Sequence, residues 1–333
     1  MAADPNTIKE VKTLKLPGDV LSVTHVPGTN RIFVGGTDAN VYAIDTSQEN
    51  PEPTAWQGHK SYISSLAYVS GDSLVSCGWD KQLIWWDIAS GKPVRTIQAH
   101  KKWVRKIAVT PDGHTIASVG DDMVCRTWNT QTGELVRELR GHEPITPHHF
   151  LSKLYTCVIS PDGQHLATAD RVGHIVVWEI ATGAKVAELD APLFYHWDFD
   201  RNNHSAGGIR SLAFSADGKL LAAGGIENTD VAIILGNALV QVFDWKSGER
   251  THEFKQGSFV FENLAFHHQD DWLLGAAGGS GNDRKLLFYD LQSNSMFKEL
   301  ITPTPIYGMA LSETSETIYG GGREKVVQWD LKV

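Results

Sequence analysis

A two-residue signature returns seven times along this chain: a large apolar or aromatic residue followed by a polar or acidic one. It stands at Ile44-Asp45, Trp86-Asp87, Trp128-Asn129, Trp178-Glu179, Phe243-Asp244, Tyr289-Asp290 and Trp329-Asp330, at intervals of 42, 42, 50, 65, 46 and 40 residues. Repetition on this scale decides the architecture, because each unit is one supersecondary element that must stack on its neighbours to bury an apolar face. Ahead of each pair lie two short runs of β-formers separated by turn chemistry, as in Ile107 to Thr110, then Pro111-Asp112-Gly113, then Thr115 to Ser118. Turns of the same kind stand at Pro161-Asp162-Gly163 and Ala216-Asp217-Gly218. After the pair, a Gly-containing turn (Ser90-Gly91, Thr132-Gly133, Thr182-Gly183, Ser247-Gly248) leads into one more short strand. Each unit therefore supplies four strands.

The register of these features resembles the WD-repeat (tryptophan-aspartate repeat) β-propeller family: Gly-His or Ala-His, then a Ser and Asp ahead of a turn, then the aromatic-acidic pair. In that family a hydrogen-bonded tetrad fixes each blade, and the resemblance places it on His59, Ser76, Asp80 and Trp86 in the second unit and His100, Ser118, Asp122 and Trp128 in the third. The fourth unit has His142, Thr168 and Trp178, with Val172 at the position expected for Asp; the first, fifth, sixth and seventh are assigned by period and strand pattern alone. The implied fold class is all-β, a seven-bladed β-propeller with four antiparallel strands per blade. The expected blades fall at about 18–57, 58–98, 99–140, 141–190, 191–256, 257–301 and 302–333. The seventh unit ends after its third strand, whereas Thr7 to Leu16 resembles the outer strands Pro93 to Ile97 and Glu134 to Leu139. An N-terminal strand, residues 7–16, is thus expected to complete the last blade and close the ring, limiting exposed sheet edges.

Composition narrows the function. At 333 residues, with 41% hydrophobic and 21% charged, the chain can bury a large core. A formal charge of −9 argues against a nucleic-acid backbone or an anionic membrane surface as the main partner. MAADPNTIKE lacks a basic stretch followed by an apolar run, so it does not read as a secretory signal, and the mature protein is expected to begin there. No run approaches the roughly 18 apolar residues of a membrane helix; the densest spans Val231 to Leu235. No membrane insertion is expected. Cys77, Cys125 and Cys157 are odd in number and lack CxxC spacing, which fits free thiols in a reducing, cytoplasmic setting.

Three constellations invite catalytic or ligand-binding readings. His59, Ser76 and Asp80 are the residue types of a hydrolytic triad, but their recurrence one unit later suits a buried network that fixes each blade. The glycine-rich stretches Gly278 to Asn282 and Gly320 to Arg323 match no phosphate-loop pattern and are expected in turns between second and third strands. His148, His149, His196, Asp198 and His204 are suitable ligands for a divalent metal, although their spacing forms no compact motif.

Departures from the regular repeat fall at Glu143 to Lys153, Leu193 to Gly208 and Ile226 to Asn237. By strand connectivity all three emerge on one face over the fourth and fifth blades, where long loops on a rigid scaffold tend to hold function. The same face is expected to display Tyr62, Trp79 and Trp103 beside Lys101, Lys102 and Asp121, with His149, Phe150, Tyr195, Trp197 and Arg201 from the insertions, as a partner-binding surface. The expected function is a non-catalytic protein-protein interaction scaffold, with no cofactor and partners of unspecified identity. The alternative is an enzyme or metal-dependent ligand binder built on 143–153 and 193–208, and a third possibility is a structural subunit of one large assembly.

Overall fold

The computed structural model describes residues 3–198, 204–230, 235–278 and 284–331; the side chains of residues 198, 204, 228–230 and 235 are not described. Seven antiparallel sheets of four strands each follow one another along the chain, with a separate two-stranded hairpin between the fourth and fifth. The inner strands are Val20–His25, Ile63–Ser70, Val104–Val109, Leu154–Ile159, Ile209–Phe214, Val260–Phe266 and Gly308–Leu311. Each blade then steps outward by consecutive hairpins, as in Val104–Val109, Thr115–Gly120, Cys125–Asn129 and Leu135–Leu139.

Burial follows this order. A third strand such as Gln82–Asp87, with sequence QLIWWD, is covered on both faces by neighbouring blades and is apolar and buried from Leu83 to Trp86. An outer strand such as Lys92–Gln98 has one face toward solvent and alternates. Among the described residues the core divides into seven apolar clusters, one between each pair of adjacent blades. Blades 2 and 3 share Val75, Trp85, Val104 and Ile116, and blades 7 and 1 share Val20, Ile32, Tyr319 and Val326.

The ring closes as the sequence implies. Lys9–Lys15 pairs antiparallel with Lys325–Asp330, aligning Thr13 with Val327 and Leu14 with Val326. Its burial alternates like that of the outer strand Lys92–Gln98. Asp4 N donates to Leu331 O at 3.2 Å, and Trp272 Nε1 donates to Ala3 O at 3.3 Å, fastening the N-terminal segment to the sixth and seventh blades.

One local expectation is corrected. Gly320, Gly321 and Gly322 do not form the turn between second and third strands; they lie within the second strand Thr317–Gly322. They are small because their neighbours occupy the space a Cβ would need: a Cβ at Gly320 would lie 2.7 Å from Trp329 Cζ3, and one at Gly321 2.4 Å from Val20 Cγ1. Gly278 likewise ends the strand Leu273–Gly278, and residues 279–283 lie outside the described residues.

Candidate protein-binding face

The networks that fix the blades also fix the face above them. In blade 2, His59 Nδ1 lies 2.8 Å from Asp80 Oδ2 and Nε2 lies 2.6 Å from Ser76 Oγ, while Trp86 Nε1 donates to Ser76 Oγ at 2.7 Å. A ring protonated at Nδ1 donates to the carboxylate and accepts from the serine, so every polar group is satisfied. Blade 3 repeats this with His100, Asp122, Ser118 and Trp128 at 2.8, 2.8 and 2.9 Å. Ser76 and Ser118 are fully buried, so neither hydroxyl is open to a substrate.

Blade 4 corrects the sequence reading. Its acid is not missing at Val172; Asp170, two residues earlier, lies 2.9 Å from His142 Nδ1, and Thr168 and Trp178 complete the set at 2.8 and 3.0 Å. Asp170 ends the second strand and pairs with Leu154, the register place that Gly78 and Gly120 hold in blades 2 and 3. A Cβ at Gly78 would sit 3.3 Å from His59 Nδ1, so a side chain at that place aims at the imidazole. His142 and Asp170 also stand within 4.8 Å of His174, the one grouping of three possible metal ligands among the described residues. Both His142 nitrogens are already engaged within the tetrad.

Trp79 leaves the turn after the second strand of blade 2, and Trp103 immediately precedes the inner strand of blade 3. Their rings stack 4.0 Å apart at 3°, and Tyr62 leans on Trp79 at 4.6 Å. Tyr62 is 37% and Trp103 38% exposed, while Trp79 between them is partly covered. Arg105 lies 5.1 Å from the Trp103 ring and 5.8 Å from that of Trp79, fixed by two bonds of 2.7 Å to Asp121. Asp121 is thus a partly buried anchor for Arg105 and not a free rim carboxylate. Lys101 and Lys102 are exposed beside the stack, and Lys101 N donates to Asp122.

The first two insertions are knitted together. Tyr195 Oη donates to Thr146 Oγ1 at 3.0 Å, and Arg171 donates to Leu151 O at 3.0 Å and to Ser205 O. The strands Tyr195–Asp198 and His204–Gly207 form the two-stranded hairpin, which packs on the long second strand Leu220–Asp230. His148 stacks on Trp197 at 3.9 Å and lies 5.7 Å from the Tyr195 ring; Trp197 is 40% exposed. His149 occupies a left-handed turn at φ 64° and is exposed, and Phe150 is partly covered beside it. His196 pairs with Ala206 in the hairpin. Arg201 and the side chains of Asp198 and His204 lie outside the described residues. The third insertion lengthens the blade 5 hairpin, aligning Glu227 with Asn237; residues 231–234 lie outside the described residues.

A further set of residues was not legible as a site in the sequence. In six inner strands the pairing skips one residue near the start: Leu21, Ser64, Arg105, Tyr155, Arg210 and Glu262. Such bulges re-aim side chains. These six, with Tyr307 of blade 7, surround a cavity of about 230 Å³ that Trp79, Lys106 and Asn263 also line. The repeated inner-strand position was the available signal, since it is polar, charged or aromatic in six of the seven blades. Arg210 lies 4.0 Å over the Tyr155 ring. Gly208, at φ 109°, passes where a Cβ would meet Tyr155 Cε2 at 2.6 Å.

Seven four-stranded blades, closure through the N-terminal strand and three His-centred tetrads define a WD-repeat β-propeller, and the chain belongs to that family. The family model for the WD domain, G-beta repeat matches residues 51–87, 91–129 and 199–229. Telomerase protein component 1 of Mus musculus is 26% identical over 276 residues, covering 82% of this chain and 9% of that protein. Nuclear distribution protein PAC1 of Arthroderma otae is 28% identical over 209 residues, 56% of this chain and 42% of that one. Pre-mRNA-processing factor 19 of Bos taurus is 24% identical over 312 residues, 83% of this chain and 56% of that one. The chain thus spans less than two thirds of the length of each of these relatives. No helix among the described residues is long and apolar enough to cross a membrane.

Proposed function

We propose that this protein is a non-catalytic scaffold that binds protein partners through the face bearing Tyr62, Trp79 and Trp103. The observation that carries the reading is the stack of those three rings, partly open to solvent and held by Arg105 at the rim of the central cavity. Rigid aromatics lose little side-chain freedom on binding and supply large contact area, which is why they serve as interface anchors. The insertions extend the surface: Trp197 is partly exposed beside His148, and Lys101 and Lys102 form a polar rim. The relatives' names point to telomerase, nuclear distribution and pre-mRNA processing, which supports a shared platform reused in different assemblies. Three buried free thiols support residence in a reducing, cytoplasmic compartment.

The metal-dependent alternative draws on His148, His149, His196, Asp198 and His204; among the described residues the first three form no three-ligand group, and the side chains of Asp198 and His204 lie outside the described residues. The scaffold reading is tested by affinity capture from native lysate with wild type, Trp79→Ala and Trp103→Ala. Partners retained by wild type and depleted by both variants support it; the same partners at the same yield on all three overturn it.

A further inference from the structure

The cavity at the centre of this face is charged in an unusual way for a chain of net charge −9. Arg105 is neutralised by Asp121, but Lys106 and Arg210 have no carboxylate within 4.0 Å among the described residues. Lys106 occupies the next place along its inner strand, where the other blades place Ser22, Ser65, Thr156, Ser211, Asn263 and Gly308. Its ammonium is partly buried, and burial pushes its pKa down. Arg210 has a buried Nε without a hydrogen-bond partner. Glu262 in the same ring attracts the Arg210 guanidinium and offsets it in part, so Lys106 leaves the cavity with an excess of positive charge that an anion would compensate.

We propose that Lys106 and Arg210 bind an oxyanion presented on an extended segment of a peptide partner, a glutamate or aspartate carboxylate or a phosphorylated side chain, inserted at the channel mouth. This rests on the reading of the same face as protein-binding. A cavity of about 230 Å³ has room for a side chain, and Trp79, Tyr155 and Tyr307 around it offer flat surfaces for the flanking peptide. Guanidinium and ammonium together give charge-assisted hydrogen bonds to such a group. Glu262 shares the ring and faces the same space, so it opposes an anion and sets the strength of binding. A nucleic-acid phosphate chain fits less well, since it draws its affinity from many cationic contacts.

The test uses the full chain and fluorescently labelled Gly/Ser-rich peptides that differ only at a central Glu, phosphoserine, Gln or Lys, read by anisotropy at low salt. The Glu or the phosphoserine peptide is expected to bind at least about tenfold tighter than the Gln peptide, the scale of a charge-assisted bond. Whichever of the two binds tighter identifies the source of the oxyanion. Lys106→Met and Arg210→Gln should each erase that preference, and Lys106→Met should melt no lower than wild type, since it removes a cation with no carboxylate within 4.0 Å among the described residues. Glu262→Gln should strengthen oxyanion binding severalfold. Equal binding of the Glu, phosphoserine and Gln peptides, preference for Lys, a marked loss of thermal stability in Lys106→Met, or tighter binding of a single-stranded oligonucleotide to the same residues would each overturn the proposal. If lysate partners still depend on Trp103 while no peptide discriminates, the oxyanion site fails and the scaffold reading stands.

Discussion

Trp79 and Trp103, on adjacent blades, lie face to face with their ring centroids 4.0 Å apart. Neither ring belongs to the apolar clusters between blades. Arg105 caps both through its charge and is itself tied to Asp121. The stack therefore joins two blades at the surface and gives the face a fixed aromatic centre, which sets apart the residues that hold the fold from those available to a partner.

The fourth tetrad gives a direct contrast between neighbouring positions. Asp170 is 1% exposed, lies against His142 Nδ1 and accepts from the backbone N–H groups of Val172 and His174. Asp170→Ala should destabilise the protein by about 2 to 3 kcal/mol, because it orphans several buried donors. Val172→Ala should cost less than about 1 kcal/mol, as substitutions away from such networks do. Chemical denaturation of both variants measures the difference, and equal losses would contradict the assignment.

Closure is tested by removing residues 1–16. The deletion strips the strand Lys9–Lys15 from Lys325–Asp330 and the Ala3 carbonyl from Trp272. An unpaired edge is an aggregation site. The truncated protein should aggregate or melt far below the full chain on a thermal scan; an unchanged melting temperature would contradict the shared seventh blade.

Why closure and the fold were legible while Asp170 and the cavity were not has a physical basis. Trp86, Trp128 and Trp178 each close a tetrad, so the requirement repeats and the period shows. Asp80 and Asp122 stand four residues beyond their serines, whereas Asp170 stands two beyond Thr168 and reaches the same imidazole from the strand end. Spacing changes while the geometry is kept. Arg210 and Glu262 were hidden for a different reason: they are brought together by bulges, and a bulge breaks the alternation from which facing is inferred. Tyr62 and Trp103 could be placed because they sit at the entrance to inner strands, where connectivity alone determines the face.

Acid should destabilise the protein in two stages. Burial holds the His100 and His142 imidazoles below their ordinary value, against the pull of Asp122 and Asp170. The unfolded chain then binds protons that the folded one refuses, so this contribution is present above about pH 6.5 and is lost as pH falls. Burial raises the Asp80 and Asp122 carboxyls, but hydrogen bonds and charge from His59 and His100 outweigh it and hold Asp80 below its ordinary value and Asp122 well below it. Their contribution is present above about pH 4 and is lost below it. Melting temperature measured against pH should fall first below about pH 6.5 and again below about pH 4. A melting temperature that rises on acidification from neutrality would contradict neutral buried imidazoles.

The central claim is that the aromatic face, and not the opposite one, binds partners. It is tested most directly by measuring the Kd of a captured partner for Trp103→Ala beside Lys219→Ala, an exposed residue in the Asp217-Gly218 turn at the other end of the strands. Trp103→Ala should weaken binding by about 2 kcal/mol or more, roughly thirtyfold, as central aromatic anchors do. Lys219→Ala should stay within about 0.5 kcal/mol of wild type. A partner that loses affinity with Lys219→Ala and ignores Trp103→Ala would put the binding surface on the opposite face.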